Sequence, residues 1–333
     1  MMNSLISIWA KRGSIWAGRC GDPALLAVWS VAAALVICAL IRGGYLMTVM
    51  QIAAIYTIFV TGLNVFMGYA GQVSFGHSAF AAVSGYASAV LTATYGWEPL
   101  PAAALGLAGA LACALIIGYP TLRLRGHYLA MATLAIGLIA YDVAVEWEPV
   151  TQGYMGISGI PPLGIGRFTV TSDRGVLVLL IIIAALGVLA AVGIRRSRLG
   201  RAFVAIAGSE NAARALGIDV AHYKLSAFVI SAFYAGLAGS LFVHAVGFVS
   251  PEVFGLHMVV LAFTMLYIGG IGTFAGPALG ALIVTLLPET FRTFNEYQDL
   301  AYGAVLILIL IYAPGGIASL PKLLSSLPRR KPL

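Results

Sequence analysis

An all-α polytopic membrane protein is the fold class this sequence predicts, and three observations predict it. Of its 333 residues, 61% are hydrophobic and only 9% charged, giving a mean hydropathy of +0.97. Apolar runs long enough to cross about 30 Å of hydrocarbon as helices recur along the chain. The basic residues gather in alternate loops, as the positive-inside rule requires of a multi-span protein.

The elements begin with a segment, 1–23, that carries Lys11, Arg12 and Arg19. The first apolar run, 24–41, is too long for a signal-peptide core, so it is expected to stay as a membrane anchor. Further spans are expected near 46–66, 73–93, 101–119, 128–146, 175–194, 222–247, 255–269, 274–290 and 299–313, about ten in all at roughly 20 residues each. Residues 24–313 then form one transmembrane domain, interrupted by a polar loop at 195–221 and followed by a basic tail at 314–333. The glycine-rich stretches around 68–76 and 269–276 read as turns or broken helices rather than clean loops.

Loop charges orient the array. With the N-terminus inside, all but Arg42, Arg167, Arg174 and Arg292 of the 19 Lys and Arg fall on the cytoplasmic side. Glu98, Glu146, Glu148, Asp173, Glu252, Glu289, Glu296 and Asp299 fall outside. Both termini are then cytoplasmic, and Trp97, Trp147 and Tyr297 stand at outer helix ends as interfacial anchors. The net charge of +7 is a topology signal and points to no nucleic acid.

No catalytic constellation accompanies this array. None of the four lysines follows a glycine, so there is no phosphate-cradling G-x-x-x-x-G-K-[ST] loop and the chain is not expected to hydrolyse ATP itself. His77, His127, His222, His244 and His257 lack metal-ligand spacing, and Cys20, Cys38 and Cys113 lack paired spacing, so neither a metal nor a disulfide is expected. Asp142 lies one turn before Glu146, at the mouth of its helix. A carrier driven by an ion gradient buries several carboxylates or a lysine–carboxylate pair, and this chain offers little of that; an ion-coupled secondary transporter remains the alternative of another class.

Three segments stand out. The polar interruption Arg195 to Lys224 gathers six basic side chains, Arg195, Arg196, Arg198, Arg201, Arg214 and Lys224, with helical, amphipathic texture; it is either a partner-binding element or a solvated loop that fixes topology. The segment Gly62 to Ala82 combines glycines with Asn64, Tyr69, Gln72, Ser74, His77 and Ser78, which are either packing glue between helices or the wall of a polar path. In GGIGTFAGPALGA, Gly272, Gly276 and Gly280 recur every four residues, the pattern of a close-packed helix face.

The segments GLNVFMGYAGQVSFGHSAF, LRLRGHYLAMATLA, SRLGRAFVAIAGSENAARALGIDVAHYKLSAFVISAFYAGLAG, YIGGIGTFAGPALGALI and YAPGGI together resemble the permease family of branched-chain amino-acid ABC importers. The element Leu122 to Ala130 is similar to that of the larger, M-type permease. The likeness runs from about residue 45 to 320. It implies about ten helices in a fold like that of the larger class of ABC importer permeases, in a bacterial inner membrane. It also implies a shorter H-type permease partner, two cytoplasmic ATP-binding subunits that bind the ATP, and a periplasmic substrate-binding protein. Members of the family also carry urea, amides and aromatic or short carboxylates.

The resemblance further implies that the polar interruption is a coupling loop. Ala212, Ala213 and Gly217 match its E-A-A-x-x-x-G pattern, with Asn211 where the pattern has glutamate and Glu210 one place earlier. A short helix from Ser209 to Leu216 is expected, with Glu210 and Arg214 paired at i,i+4, Ala212, Ala213 and Leu216 as a smooth apolar face, and Gly217 ending the helix. Asn64, Gln72, Ser74, His77 and Ser78 are the candidate path residues.

Overall fold

The computed structural model of the chain describes residues 44–165, 168–291, 303, 307 and 316–319. The expected segments 1–23 and 24–41 lie outside these residues, as do Tyr297 and most of 299–313 and 314–333. Eight of the expected spans coincide with helices: α1 Tyr45–Leu63, α2 His77–Ala93, α3 Pro99–Thr121, α4 His127–Glu146, α6 Asp173–Arg196, α9 Val220–Val246, α10 Leu256–Gly269 and α11 Gly276–Phe291. Among the described residues, six helical stretches are long and apolar enough to cross a membrane, counting α1 with the turn that follows it to Tyr69 and α10 with the turn that precedes it from Pro251; α2 and α11 are not among them.

Three departures from expectation have physical causes. Residues 73–76 were expected to begin a span but are non-helical, because Ser74 and the Phe75 backbone are engaged elsewhere: the Phe75 N–H donates to Thr133 Oγ1 at 3.1 Å. Helix α1 runs on into a π-helical turn, Asn64–Tyr69, a wider coil of the kind often found at functional positions. The protein is also not purely helical. Strand β1 (Ile157–Ser158) pairs antiparallel with β4 (Phe248–Val249), and β2 (Gly164–Ile165) with β3 (Phe168–Thr169), at the end of the bundle where α4 meets the short helix α5 (Glu148–Thr151).

Burial separates the helices into two sets. In the apolar stretch of α1 and its π turn 78% of residues are buried, against 22% in α3. Helices α1, α2 and α9 therefore form the centre. Peripheral α3 buries a single stripe of small residues, Ala102, Gly106, Ala110, Ala114 and Gly118, which lets it approach α2 and α9 closely. The exposed faces carry large apolar side chains such as Ile116, Ile139 and Leu189, which suit a hydrocarbon solvent. Expected anchors Trp97 and Trp147 are exposed.

Polar side chains bind the central helices together. Ser231 Oγ donates to the Gly62 carbonyl at 2.7 Å, and Ser84 and Ser240 share a 2.6 Å hydrogen bond. Ser88 Oγ lies 2.7 Å from His244 Nε2. His244 Nδ1 lies 2.8 Å from the Pro161 carbonyl, which can only accept, so the proton sits on Nδ1 and the neutral ring accepts from Ser88. This seam ties α2 and α9 to the loop bearing β1 and β2.

Candidate functional site

The polar interruption folds as two helices. Ser197, in extended conformation, separates α6 from α7 (Arg198–Gly208), whose apolar side buries Gly200, Ala202, Phe203 and Ile206 against the bundle. Ser209 then breaks the run and caps α8 (Glu210–Ala215), its Oγ accepting the Ala212 N–H at 3.3 Å. At the other end the Ile218 N–H reaches the Ala213 carbonyl at 3.0 Å and the Gly217 N–H the Arg214 carbonyl at 2.9 Å. Gly217 has φ +80°, the left-handed conformation in which a side chain is strained, and the paired bonds form a Schellman cap. Asp219 caps α9 in turn, accepting from the Ala221 and His222 N–H groups at 3.1 and 3.2 Å.

The short helix is therefore fixed at both ends by its own sequence, within one residue of the expected limits. It presents Asn211, Ala212, Arg214 and Ala215 outward, with Leu216 80% exposed beside them. Ala213 does not belong to that surface. It is 1% exposed and packs with Ile206, Ile218 and Val220, because a six-residue helix lying on α7 and α9 must turn one side inward.

Glu210 is the electrostatic centre of the region. Its Oε1 forms an ion pair with Lys224 Nζ of α9 and accepts from Gln72 Nε2 at 3.4 Å. Its Oε2 faces Arg214 at 3.9 Å and Arg125 of the α3–α4 loop at 3.8 Å, both beyond hydrogen-bond range. One carboxylate thus meets three cations from three elements. Beside it lies a polar cleft of about 270 Å³ lined by Gly71, Gln72, Val73, Gly126, Leu129, Ile206, Ala207, Ser209 and Glu210. Arg195, at the end of α6, places its guanidinium 5.4 Å from the Tyr69 ring of the π turn, a second link between this region and α1.

The candidate path residues divide. Asn64 is buried and satisfied on both sides: its Nδ2 donates to the Thr273 carbonyl at 2.9 Å and its Oδ1 accepts the Gly272 N–H at 2.7 Å. Ser74 Oγ lies 3.0 Å from His77 Nδ1, and the His77 ring is packed among Phe66, Phe80 and Phe228 with centroids 5.6, 5.9 and 5.5 Å away. Ser78 is 1% exposed. Gln72 alone of the five reaches α8, through Glu210. The glycine repeat is also reshaped: Gly272 sits in the turn before α11 with φ +75°, so of the three expected on one helix face only Gly276 and Gly280 lie in α11.

Sequence reasoning counted Lys224 among the basic residues of the polar interruption but missed its burial and its pairing with Glu210. The lysine is 2% exposed and falls on the inner stripe of α9 with Val220, Ala227, Phe228 and Ser231. That i, i+4, i+7, i+8 spacing was the available signal. Among the described residues no cluster of His, Cys, Asp and Glu could hold a metal ion.

Residues 45–310 match the family model described as branched-chain amino acid transport system / permease component. The high-affinity branched-chain amino acid transport system permease protein LivM of Escherichia coli K12 is 35% identical over 289 residues, covering 79% of this chain and 67% of that protein. Its counterpart LivH from the same organism is 27% identical over 292 residues, covering 80% and 92%. Among solved structures, PsaBC from Streptococcus pneumoniae in complex with Fab aligns at 15% identity with a TM-score of 0.44, covering 87% of this chain and 99% of that one.

Proposed function

The chain belongs to the branched-chain amino acid transport permease family and is a permease subunit of an ABC importer, and on that premise we propose that it forms half of the translocation path for branched-chain or related hydrophobic amino acids. Its partner across the path is a shorter, H-type permease. Two ATP-binding subunits supply the energy, and a substrate-binding protein delivers the cargo on the opposite face. Both termini and helix α8 lie on the cytoplasmic side, in keeping with the loop charges.

The observation that carries the mechanistic part is α8 itself. It is a short helix capped at both ends, exposing Ala212, Arg214 and Leu216 while its first residue is bound to α9 and to the loop after the π turn. A partner that seats α8 in a cleft can push on two central helices without unfolding it. Closure of the ATP-binding subunits would move this lever and swing the attached spans between inward-open and outward-open states.

The test is reconstitution in vesicles with the neighbouring permease and ATP-binding subunits. Leucine uptake should require ATP and the binding protein, and Gly217→Trp should abolish it with membrane insertion intact. Gradient-driven uptake by the purified chain alone would instead make it a secondary carrier.

A further inference from the structure

Lys224 takes no part in the outward surface of α8. A buried ammonium loses its hydration and costs several kcal/mol unless it is paired, and a methionine would fill the same space without that cost. Yet Lys224 lies on the inner stripe of α9 with its ammonium against Glu210 Oε1, so the charge contact needs an explanation beyond packing.

The geometry supplies one. The apolar contact of Ala213 with Ile206 and Val220 seats α8 on α7 and α9 but, being without direction, does not itself resist a small displacement. The Lys224–Glu210 pair adds a specific contact between the first residue of α8 and the first turns of α9. Gln72 Nε2 bonds the same oxygen, so whatever moves Glu210 also moves the loop that closes the π end of α1. Beyond Lys224, α9 is bonded to α1 through Ser231 and Gly62 and to α2 through Ser240 and Ser84. Among the described residues, the polar and charged groups that face Glu210 are Lys224, Gln72, Arg125 and Arg214.

We infer that Lys224 is a positioning residue for coupling: its ion pair with Glu210 is the strut that carries displacement of α8 into α9 and, through Gln72, into the loop after the π turn. The inference rests on the reading of α8 as the helix that contacts the ATP-binding subunit. A purely structural pair would affect how much complex assembles; a strut affects how much cargo each hydrolysed ATP moves.

The experiment measures leucine uptake and ATP hydrolysis in the same vesicles holding the full complex. Lys224→Met should lower uptake per ATP by about ten-fold or more, the scale of a lost coupling free energy, while Lys224→Arg, which keeps the charge, should stay within about two-fold of the native ratio. A native ratio in Lys224→Met, or an equal loss in Lys224→Arg, overturns the inference. Should Lys224→Met fail to insert, the double variant Lys224→Met/Glu210→Gln removes both charges, a replacement that is often neutral for stability. It should insert and be uncoupled; a coupled double variant also overturns the inference. A cysteine at 216 that captures the ATP-binding subunit while Lys224→Met stays coupled defeats the strut alone, whereas failure of capture defeats the reading of α8.

Discussion

Two glycine-rich segments join consecutive spans, 68–76 between α1 and α2 and 269–276 between α10 and α11, and they differ in what they connect to. The first adds side-chain bonds to close backbone contacts: a Cβ on Gly76 would lie 2.3 Å from the Thr133 carbonyl oxygen, while Gln72 bonds Glu210 and Ser74 Oγ lies 3.0 Å from the His77 ring. In the second, Thr273 Oγ1 donates to the Gly270 carbonyl and accepts the Gly276 N–H, and glycines of the flanking helices bring α10 and α11 into backbone contact. A Cβ on Gly269 would lie 1.9 Å from the Gly276 carbonyl oxygen, and one on Gly280 1.8 Å from that of Met265. The two interlock, since Asn64 bonds to Thr273 and Gly272. Side-chain bonds can exchange at small cost, whereas backbone contacts this close cannot loosen without parting the helices. The contact of α10 with α11 at Gly269 and Gly280 is thus the anchor, and of the two turns the first reaches α8, through Gln72 and Glu210.

Substitutions that add bulk to the anchor should have the largest effect. Gly280→Val places its side chain against the α10 backbone and should cost more than about 3 kcal/mol, the upper range of overpacking. Little monodisperse protein should remain when detergent extracts are run on size exclusion; a native yield would show that α10 and α11 pack less closely than described.

The clasp between the two turns comes next. Asn64→Leu leaves the half-buried Gly272 N–H and Thr273 carbonyl without their partner, at about 1 kcal/mol each. The thermal midpoint of the purified protein should fall clearly, and Asn64→Asp, which when protonated keeps both the acceptor for Gly272 and a donor for Thr273, should fall less at low pH. Equal losses would mean that side-chain volume rather than hydrogen bonding holds the clasp.

Gln72→Ala should have the smallest effect on stability, under about 1.5 kcal/mol for one partly exposed hydrogen bond, and a disproportionate effect on uptake. Measuring the thermal midpoint and uptake in the same preparations sharpens the contrast between turns: Asn64 variants should lose both together, Gln72 variants mainly uptake. A Gln72 variant with native uptake would remove the first turn from the transmission route.

The legible parts of the fold were those with local causes. Apolar runs located eight helices to within a few residues, and Ser209 and Gly217 bounded α8 because capping chemistry acts over one turn. The π turn was not legible, since nothing in Asn64–Tyr69 opposes an ordinary helical turn, and two-residue strands are too short to show a period. Burial of Ala213 depends on α7 and α9 and has no local signature. Lys224 was misread because charges between apolar runs ordinarily belong to solvated loops, although its place on the inner stripe of α9 was visible in the spacing.

The central claim, that α8 is the contact through which ATP hydrolysis drives this permease, is tested most directly by cross-linking in the assembled complex. In a background with Cys20, Cys38 and Cys113 replaced by serine, Leu216→Cys should cross-link to a cysteine-bearing ATP-binding subunit, and buried Ala213→Cys should not. An assembled, active complex in which position 216 gives no cross-link would contradict the account.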